Sequence, residues 1–359
     1  MGLLDSIAGD RKTSHDELRK SQDFRKEKKF SEPKIPFLTS IFAFPYIGLV
    51  HGYYLTLLAF FVLFLVTKIS FIGLLAGLNI LFIVAWEFYV GSKTGGVKNE
   101  LKDTVLAVGL GLLVWFGSGF ILNTPTPINA IVSCSMLPNY ERGDMIILQG
   151  GELNTQYVQY EGKKEDITRL AKVEYDSRTY EIEGSLYTYC QGRASEPICL
   201  AFYKNPGQFR EVHGPLELQY GNCVKQDINT AEKRNIACIT DTVFEGQKIE
   251  FSKDYDLIVY QPKSQDLYAL VGDIVHRARF AINASDGIIY FTKGDNNPIY
   301  DFQIYSTAYK KGNGPVEPGQ IKGKSILRIP FIGNFKLFIT PQVLFLDDDS
   351  TGCNEYFVE

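Results

Sequence analysis

The strongest pattern in the chain is an apolar region near the N-terminus. Between residues 36 and 91 only two residues are charged, far fewer than the polar face of a soluble amphipathic helix requires. The pattern predicts two membrane-spanning helices, residues 53–67 and 71–90, joined by a tight turn. The preceding stretch, residues 36–50, is short and interrupted by proline and glycine, so we read it as interfacial or re-entrant.

A third apolar span is predicted over residues 104–122. The loop before it carries Lys93, Lys98 and Lys102, and residues 1–35 hold nine Lys/Arg. Cytoplasmic loops are enriched in Lys and Arg, so the tail and this loop are both predicted to be cytoplasmic. Two crossings then precede the loop, a third follows it, and the rest of the chain lies outside. We therefore expect about three transmembrane helices.

The outer part of the chain shows the alternation and turn signals of short strands. We expect N-terminal transmembrane helices followed by a mainly β extracytoplasmic domain with a strand-rich insertion. The predicted divisions are a charged cytosolic tail (1–35), a membrane hairpin region (36–92), a cytosolic loop with the third helix (93–123), a catalytic domain in two pieces (124–149 and 251–340), the insertion (150–250) and a C-terminal tail (341–359).

Composition narrows the class of protein further. The 359 residues are 45% hydrophobic and 13% aromatic, which excludes an extended disordered chain. The formal net charge of -4 gives no reason to expect nucleic acid as a partner. Residues 1–35 contain no apolar stretch, so they are not a cleavable secretory signal.

The first candidate catalytic group is a serine that a base elsewhere in the chain would activate. Residues 128–148 read as strand, turn and strand, and contain Ser133 and Ser135. A serine nucleophile needs a base within hydrogen-bond reach. The chain has four histidines, and His276 is the one in a strand-like outer segment beside a Gly-Asp pair. Asp295 and Asp301 follow in a turn, where a carboxylate can orient an imidazole.

These segments resemble the type I signal peptidases, in the archaeal and endoplasmic-reticulum branch that uses histidine as the base. Several motifs occur in the family's order after a membrane anchor, and together they cover about a third of the chain. The matching residues are Ser133-Cys134-Ser135-Met136-Leu137-Pro138 with Gly143-Asp144, then Asp256 to Tyr260, His276-Arg277, Thr292 to Asn297 with Asp301, and finally Gly323-Lys324 and Ile329-Pro330 with Gly333.

The resemblance implies a role for each of these residues. Ser135 corresponds to the nucleophile and His276 to the general base. Asp301 is favoured as the acid of the triad, and Asp295 is its competitor with a supporting role. The backbone N–H of Ser135 corresponds to the oxyanion hole. Ser133 either adds a hydroxyl donor to that hole or is an ordinary strand serine.

Two other side chains compete for roles at this site. Cys134 stands where the family usually has a small residue such as glycine. Its thiol, adjacent to Ser135, is an alternative nucleophile and a site of modification. Lys293 is the alternative base, since the bacterial branch of the family uses lysine, but the family's base position is occupied by His276.

The insertion is the least readable segment. It carries four cysteines, which in an extracytoplasmic segment predict two disulfides with three possible connectivities. We expect His213, in the same segment, to be a surface histidine. The insertion can serve as a lid, a partner-docking surface or a wall that guides the substrate. Residues 331–346 predict a strand or a flap at the membrane face.

The predicted function is removal of signal peptides by a membrane-bound serine endopeptidase. The resemblance implies preprotein substrates with small residues before the cut, contact with membrane lipid and with the protein translocation machinery, no nucleic acid, and no metal or organic cofactor. It places the protein in the cell membrane or the endoplasmic reticulum membrane. The alternatives are a non-catalytic scaffold of the export machinery and a protease for one dedicated substrate.

Overall fold

The computed structural model describes residues 52–67, 70–334, 336 and 353–358. The predicted cytosolic tail, the interfacial stretch over residues 36–50 and most of the predicted flap lie outside these residues. Within them, an apolar helical region leads into two seven-stranded β-sheets that share one hydrophobic core, and a two-stranded sheet pairs Tyr305–Ser306 with Lys311–Gly312.

Three helices form the apolar region, and two of them are long and apolar enough to cross a membrane. They are α1 (Gly52–Thr67), α2 (Ser70–Thr94) and α3 (Val97–Ile121). The two membrane candidates are Phe71–Lys93 within α2 and the whole of α3, whereas α1 has only 16 residues. The prediction of apolar helices is confirmed for these two.

The connection between α2 and α3 is much shorter than the predicted lysine loop. Only Gly95 and Gly96 separate the helices, and Lys98 lies in the first turn of α3. Gly96 has φ +84°, a conformation that favours glycine and lets the chain reverse here. Within the part of the chain that the structure describes, no residue of α3 is buried, so its apolar side chains remain exposed there.

The strands follow α3. In chain order within the described residues they are β1 (Ile128–Ala130), β2 (Met145–Gln149), β3 (Gln156–Gln159), β4 (Leu170–Tyr175), β5 (Arg178–Glu183), β6 (Arg210–His213), β7 (Leu216–Asp227), β8 (Lys233–Phe244), β9 (Gln247–Ile249), β10 (Leu257–Tyr260), β11 (Ile274–Ala284), β12 (Gly287–Lys293), β13 (Tyr305–Ser306), β14 (Lys311–Gly312), β15 (Ile321–Ile329) and β16 (Glu355–Val358). Two short helices, α4 (Leu186–Cys190) and α5 (Pro197–Lys204), lie between β5 and β6. The prediction of a mainly β domain is confirmed.

The first sheet is built from both predicted pieces of the catalytic domain. Its strand order is β1-β2-β15-β10-β11-β12, all antiparallel. β3 adds to β11 in parallel orientation, so the four residues Gln156–Gln159 of the predicted insertion belong to this sheet instead. Strands that are distant in the chain therefore become neighbours at the centre of the sheet.

The second sheet, which we call the insertion sheet, has the order β5-β4-β6-β7-β8-β9. β7 and β8 form a long hairpin of two 12-residue strands. β16, from the predicted C-terminal tail, pairs antiparallel with residues 224–227 of β7. The part of the tail that the structure describes is thus a strand of the insertion sheet.

The two sheets share one hydrophobic core. Phe202, Phe209 and Phe244 of the insertion are buried in the same cluster as Phe280 and Phe291 of the first sheet. Burial of an aromatic side chain contributes about 1.5–3 kcal/mol, so the insertion and the first sheet stabilise one another. His213 lies in this region with 0% exposure, so the prediction of a surface histidine is wrong.

All six cysteines are paired in disulfides. Cys190–Cys199 and Cys223–Cys238 lie within the insertion, as the cysteine count predicts. The third disulfide joins Cys134 to Cys353, and so links the Ser135 segment to the residues before β16. Cys134 is therefore not the free, modifiable thiol that the sequence suggested.

Candidate active site

Ser135 lies in the turn between β1 and β2, held by the loop that follows β12. The backbone N–H of Asn296 donates to the Ser135 carbonyl at 2.7 Å, and the Asn296 side chain donates to the Cys134 carbonyl at 3.1 Å. Gly294 is required here, because a Cβ at this position would lie 2.6 Å from the Ser135 carbonyl oxygen. The close approach fixes the backbone that carries the serine.

His276 lies near the start of β11 and faces the serine. Its Nε2 is 2.9 Å from the Ser135 hydroxyl, and its Nδ1 is 2.7 Å from Asp301 Oδ2. In the tautomer that carries its proton on Nδ1, the ring donates to the carboxylate and accepts from the serine. The imidazole is 4% exposed, so water is largely kept from both hydrogen bonds.

Asp301 begins a short 3-10 turn, Asp301–Gln303, after β12. Its side chain is 1% exposed. A buried ionised carboxylate is costly unless hydrogen-bond donors surround it. The structure brings Ser135, His276 and Asp301 into one hydrogen-bonded chain, which is the arrangement that activates a serine hydroxyl.

Sequence reasoning missed two further donors to the Asp301 carboxylate. The Tyr260 hydroxyl lies 3.0 Å from Oδ2 and the Thr292 hydroxyl 2.6 Å from it. Burial, and then the charge of Asp301, raise the pKa of Tyr260 well above its usual value, so it stays a donor. Alternation along the strands could have identified both donors, because side chains on one face of a sheet recur every second residue. Tyr260 lies two residues along β10 from the residue that pairs with His276. Thr292 pairs with the residue two positions after His276 on β11.

The hydroxyl of Ser133 lies 3.0 Å from that of Ser135. It is partly exposed, as the Ser135 hydroxyl is. A donor beside the attacking oxygen is placed where an oxyanion can form. The geometry is compatible with both roles predicted for Ser133, so the oxyanion role remains a prediction.

Asp295 does not join the Ser135–His276–Asp301 chain. It accepts two hydrogen bonds from Arg277, at 2.9 and 2.6 Å, and one from Arg279 at 2.8 Å. Asn139 donates to it at 2.8 Å. Burial opposes ionisation of Asp295, but the arginines and Asn139 outweigh burial and lower its pKa. Asp295 therefore ties the histidine strand to the loop that holds Ser135.

Lys293 ends β12, close to the acids. Burial and the charge of Arg279 lower its pKa to about 7, although Asp295 and Asp301 oppose the shift. Its ammonium lies 5.7 Å from the ring centre of Phe357 in β16, a cation–π contact. A lysine of this kind can supply a neutral amine near neutral pH, but the group within hydrogen-bond distance of Ser135 is His276.

The C-terminal strand is attached beside the site. Besides the Cys134–Cys353 disulfide, the Asn296 side chain donates to the Glu355 carbonyl at 2.8 Å. Asn296 thus connects the Ser135 segment to β16. This contact could not be predicted from the sequence, because residues 134 and 353 lie far apart in the chain, separated by 219 residues.

Among the described residues no group of three His, Cys, Asp or Glu side chains is arranged to hold a metal ion. Comparison of the chain with protein-family models, curated proteins and solved structures found no match. The chemistry of the site therefore has to be inferred from its own geometry.

Proposed function

We propose that this chain is a membrane-bound serine endopeptidase that removes signal peptides from exported proteins, as the type I signal peptidases do. The observation that carries the proposal is the hydrogen-bonded chain from Ser135 through His276 to Asp301. The order of the matching sequence motifs supports it independently. A binding scaffold would have no need for a nearly solvent-excluded imidazole between a hydroxyl and a carboxylate.

The first chemical step is acylation of Ser135. Its oxygen attacks the scissile carbonyl while His276 Nε2 takes the hydroxyl proton. Asp301 stabilises the imidazolium that forms, and the backbone N–H of Ser135, with the Ser133 hydroxyl, stabilises the oxyanion. The imidazolium then gives its proton to the leaving amine, and the new N-terminus departs.

The second step regenerates the enzyme. A water molecule donates its proton to His276 Nε2 and attacks the acyl-enzyme carbonyl. The proton returns to Ser135 as the signal peptide is released as a carboxylic acid, which then loses its own proton to water. This sequence needs no metal or organic cofactor, because the oxyanion donors and the charge partner of the imidazole all belong to the chain.

The surface near the end of α3 supports work at a membrane. Ile128 of β1 pairs with Ile147 of β2, which pairs with Leu327 of β15, so three apolar side chains lie in one row. Ile128 is 42% exposed and Leu327 51% exposed. Only six residues separate Ile128 from the end of α3, which keeps this row close to the predicted bilayer surface.

We also propose that α2 and α3 span the membrane and that the β domain lies outside the cytoplasm. The lysines at the junction of the two helices support this orientation. The three disulfides support an oxidising compartment. A signal peptide emerging from the translocation machinery would then meet Ser135 at the outer face.

The proposal is tested by cleavage of a model preprotein with an Ala-x-Ala site, in detergent or in liposomes. We expect the intact chain to cut after the second alanine, and Ser135→Ala to lose this activity. Ser306→Ala, a change of another serine in the same domain, is the matched control and should keep full activity. A preprotein with leucine in place of the second alanine should not be cut, since a small pocket excludes it.

Equal cleavage by the parent and Ser135→Ala would disprove the serine mechanism. Cleavage confined to one preprotein out of several unrelated ones would instead favour a protease with a dedicated substrate. A parent chain that binds preproteins without cutting them would favour the scaffold.

A further inference from the structure

The Gln303 side chain connects the turn that carries Asp301 to the insertion sheet. Its Oε1 accepts the backbone N–H of Tyr300 at 2.9 Å, and its Nε2 donates to Glu211 Oε2 at 2.6 Å. Gln303 is 0% exposed, so neither bond can be exchanged for one to water. One amide therefore fixes the entry to the turn and attaches the turn to β6.

Glu211 is itself held firmly in the insertion. It is 0% exposed, and its Oε1 accepts from the Tyr220 hydroxyl at 2.6 Å and from the Leu186 N–H. His213 Nε2 lies 3.3 Å from Oε2, and His213 Nδ1 faces the Thr168 carbonyl at 3.0 Å. Glu211 thus has three donors besides His213, whose ring donates to Glu211 and to the Thr168 carbonyl at once only when both of its nitrogens carry a proton.

In the part of the chain that the structure describes, the Asp301 carboxylate is hydrogen-bonded through one oxygen only, whereas both oxygens of the Glu211 carboxylate have partners. Its Oδ2 carries all three side-chain donors, while its Oδ1 has no hydrogen-bond partner among the described residues. A carboxylate bonded through one oxygen can pivot about that oxygen. The backbone position of the turn must therefore decide where the carboxylate meets His276.

We propose that Gln303 is a positioning residue for Asp301 and that Glu211 anchors it. The inference rests on the proposed peptidase function and deepens it. The insertion, through Glu211 and Gln303, holds the turn that carries Asp301 and so sets the geometry of the triad. A turn of three residues has few backbone bonds of its own, and the Asn313 side chain holds only its first carbonyl, that of Asp301, at 3.1 Å. Without Gln303 it can shift, and displacement of a catalytic group by about 1 Å can lower the rate about 100-fold.

The first test is Gln303→Met, which keeps the length of the side chain and removes both hydrogen bonds. We expect kcat to fall about 10- to 100-fold. KM should stay within about twofold of the parent, because Asp301 acts on His276 and does not touch the substrate. A parental kcat in a folded Gln303→Met protein would overturn the proposal.

The matched control is Tyr220→Phe. It removes one hydrogen bond from the same Glu211 carboxylate, on the oxygen that does not face Gln303. We expect a loss of thermal stability similar to that of Gln303→Met, but a kcat within about twofold of the parent. Equal loss of kcat in both variants would show that Gln303 acts through stability alone, which would contradict the positioning role.

A second readout does not depend on cleavage. The chain has four histidines, so ¹⁵N-histidine labelling gives few imidazole N–H signals, and the His276 signal is identified by its loss in His276→Ala. The proton between His276 Nδ1 and Asp301 should move or vanish in Gln303→Met and persist in Tyr220→Phe. An unchanged signal in Gln303→Met would overturn the proposal, whereas failure of the parent to cleave would contradict only the proposed function.

Discussion

Asp301→Asn isolates the charge of the proposed triad with the least change in shape. The asparagine oxygen can take the place of Oδ2 and still accept hydrogen bonds from His276, Tyr260 and Thr292. The side chain loses its negative charge, and so loses the favourable interaction with the imidazolium that forms as Ser135 attacks. The substitution therefore tests transition-state stabilisation and not packing.

The expected magnitude follows from the geometry. His276 Nδ1 lies 2.7 Å from Asp301 Oδ2, which puts the centres of the two charges about 4 Å apart. At that distance the interaction is about 4 kcal/mol at an effective dielectric constant of ~20. Each 1.36 kcal/mol corresponds to about a tenfold change in rate. We therefore expect kcat to fall about 10³-fold, with KM unchanged.

The assay is steady-state cleavage of the Ala-x-Ala preprotein, with thermal unfolding of each variant as a check on folding. Asp295→Asn is the comparison, because Asp295 is a nearby acid, its side chain 6% exposed, that pairs with two arginines and does not touch His276. Breaking such a pair costs about 3–5 kcal/mol of stability, so Asp295→Asn should lower Tm more than kcat. Asp301→Asn with kcat within about threefold of the parent would refute the assignment of Asp301.

Three further predictions concern other parts of the site. Lys293→Met should keep kcat within about threefold of the parent, because His276 and not Lys293 lies within hydrogen-bond distance of Ser135, whereas a loss as large as that of His276→Ala would identify the lysine as the base. Ser133→Ala should lower kcat about 100-fold if its hydroxyl stabilises the oxyanion, whereas parental kinetics would identify an ordinary strand serine. Cys353→Ser should lower Tm by about 4–8 °C, measured against the parent in scans without reductant; an unchanged Tm would mean that the Cys134–Cys353 disulfide adds no stability.

The sequence motifs identified the residues that the structure brings together at the site, because each motif can be recognised within a short stretch of sequence. Ser135, His276 and Asp301 each lie in a short segment whose strand and turn character can be read directly. The sequence favoured Asp301 over Asp295 but left Asp295 as a competitor, since both lie in the same turn. The choice depends on which carboxylate reaches His276 and which reaches Arg277 and Arg279, and all three of these partners lie on β11.

Strand pairing and disulfide bonding between distant segments could not be predicted from the sequence. β16 joins β7, and Cys353 reaches Cys134, across a separation of 219 residues. The position of His213 was misjudged for a related reason, because its burial depends on packing between the insertion and the turn that begins at Asp301. Hydrophobic alternation reports that a strand exists, but it does not report which strand it pairs with.

The predicted start of the third span was wrong for a different reason. The third span was predicted from residue 104 because charged residues were taken to mark a loop. α3 instead begins at Val97, since lysine and glutamate are good helix formers, and long basic side chains near a helix end can reach headgroup water. Charged residues indicate how deep a segment lies in the membrane, but they are a weaker indication of where a helix begins.

The central claim is that the Ser135 oxygen forms the acyl bond with the substrate. The most direct measurement is mass spectrometry of the protein quenched during turnover of the Ala-x-Ala preprotein, with the modified peptide identified after digestion. We expect a mass increase equal to the acyl part of the signal peptide on the peptide that contains Ser135, and no such increase in Ser135→Ala. An adduct on another residue, or cleavage by Ser135→Ala at the parental rate, would contradict the claim.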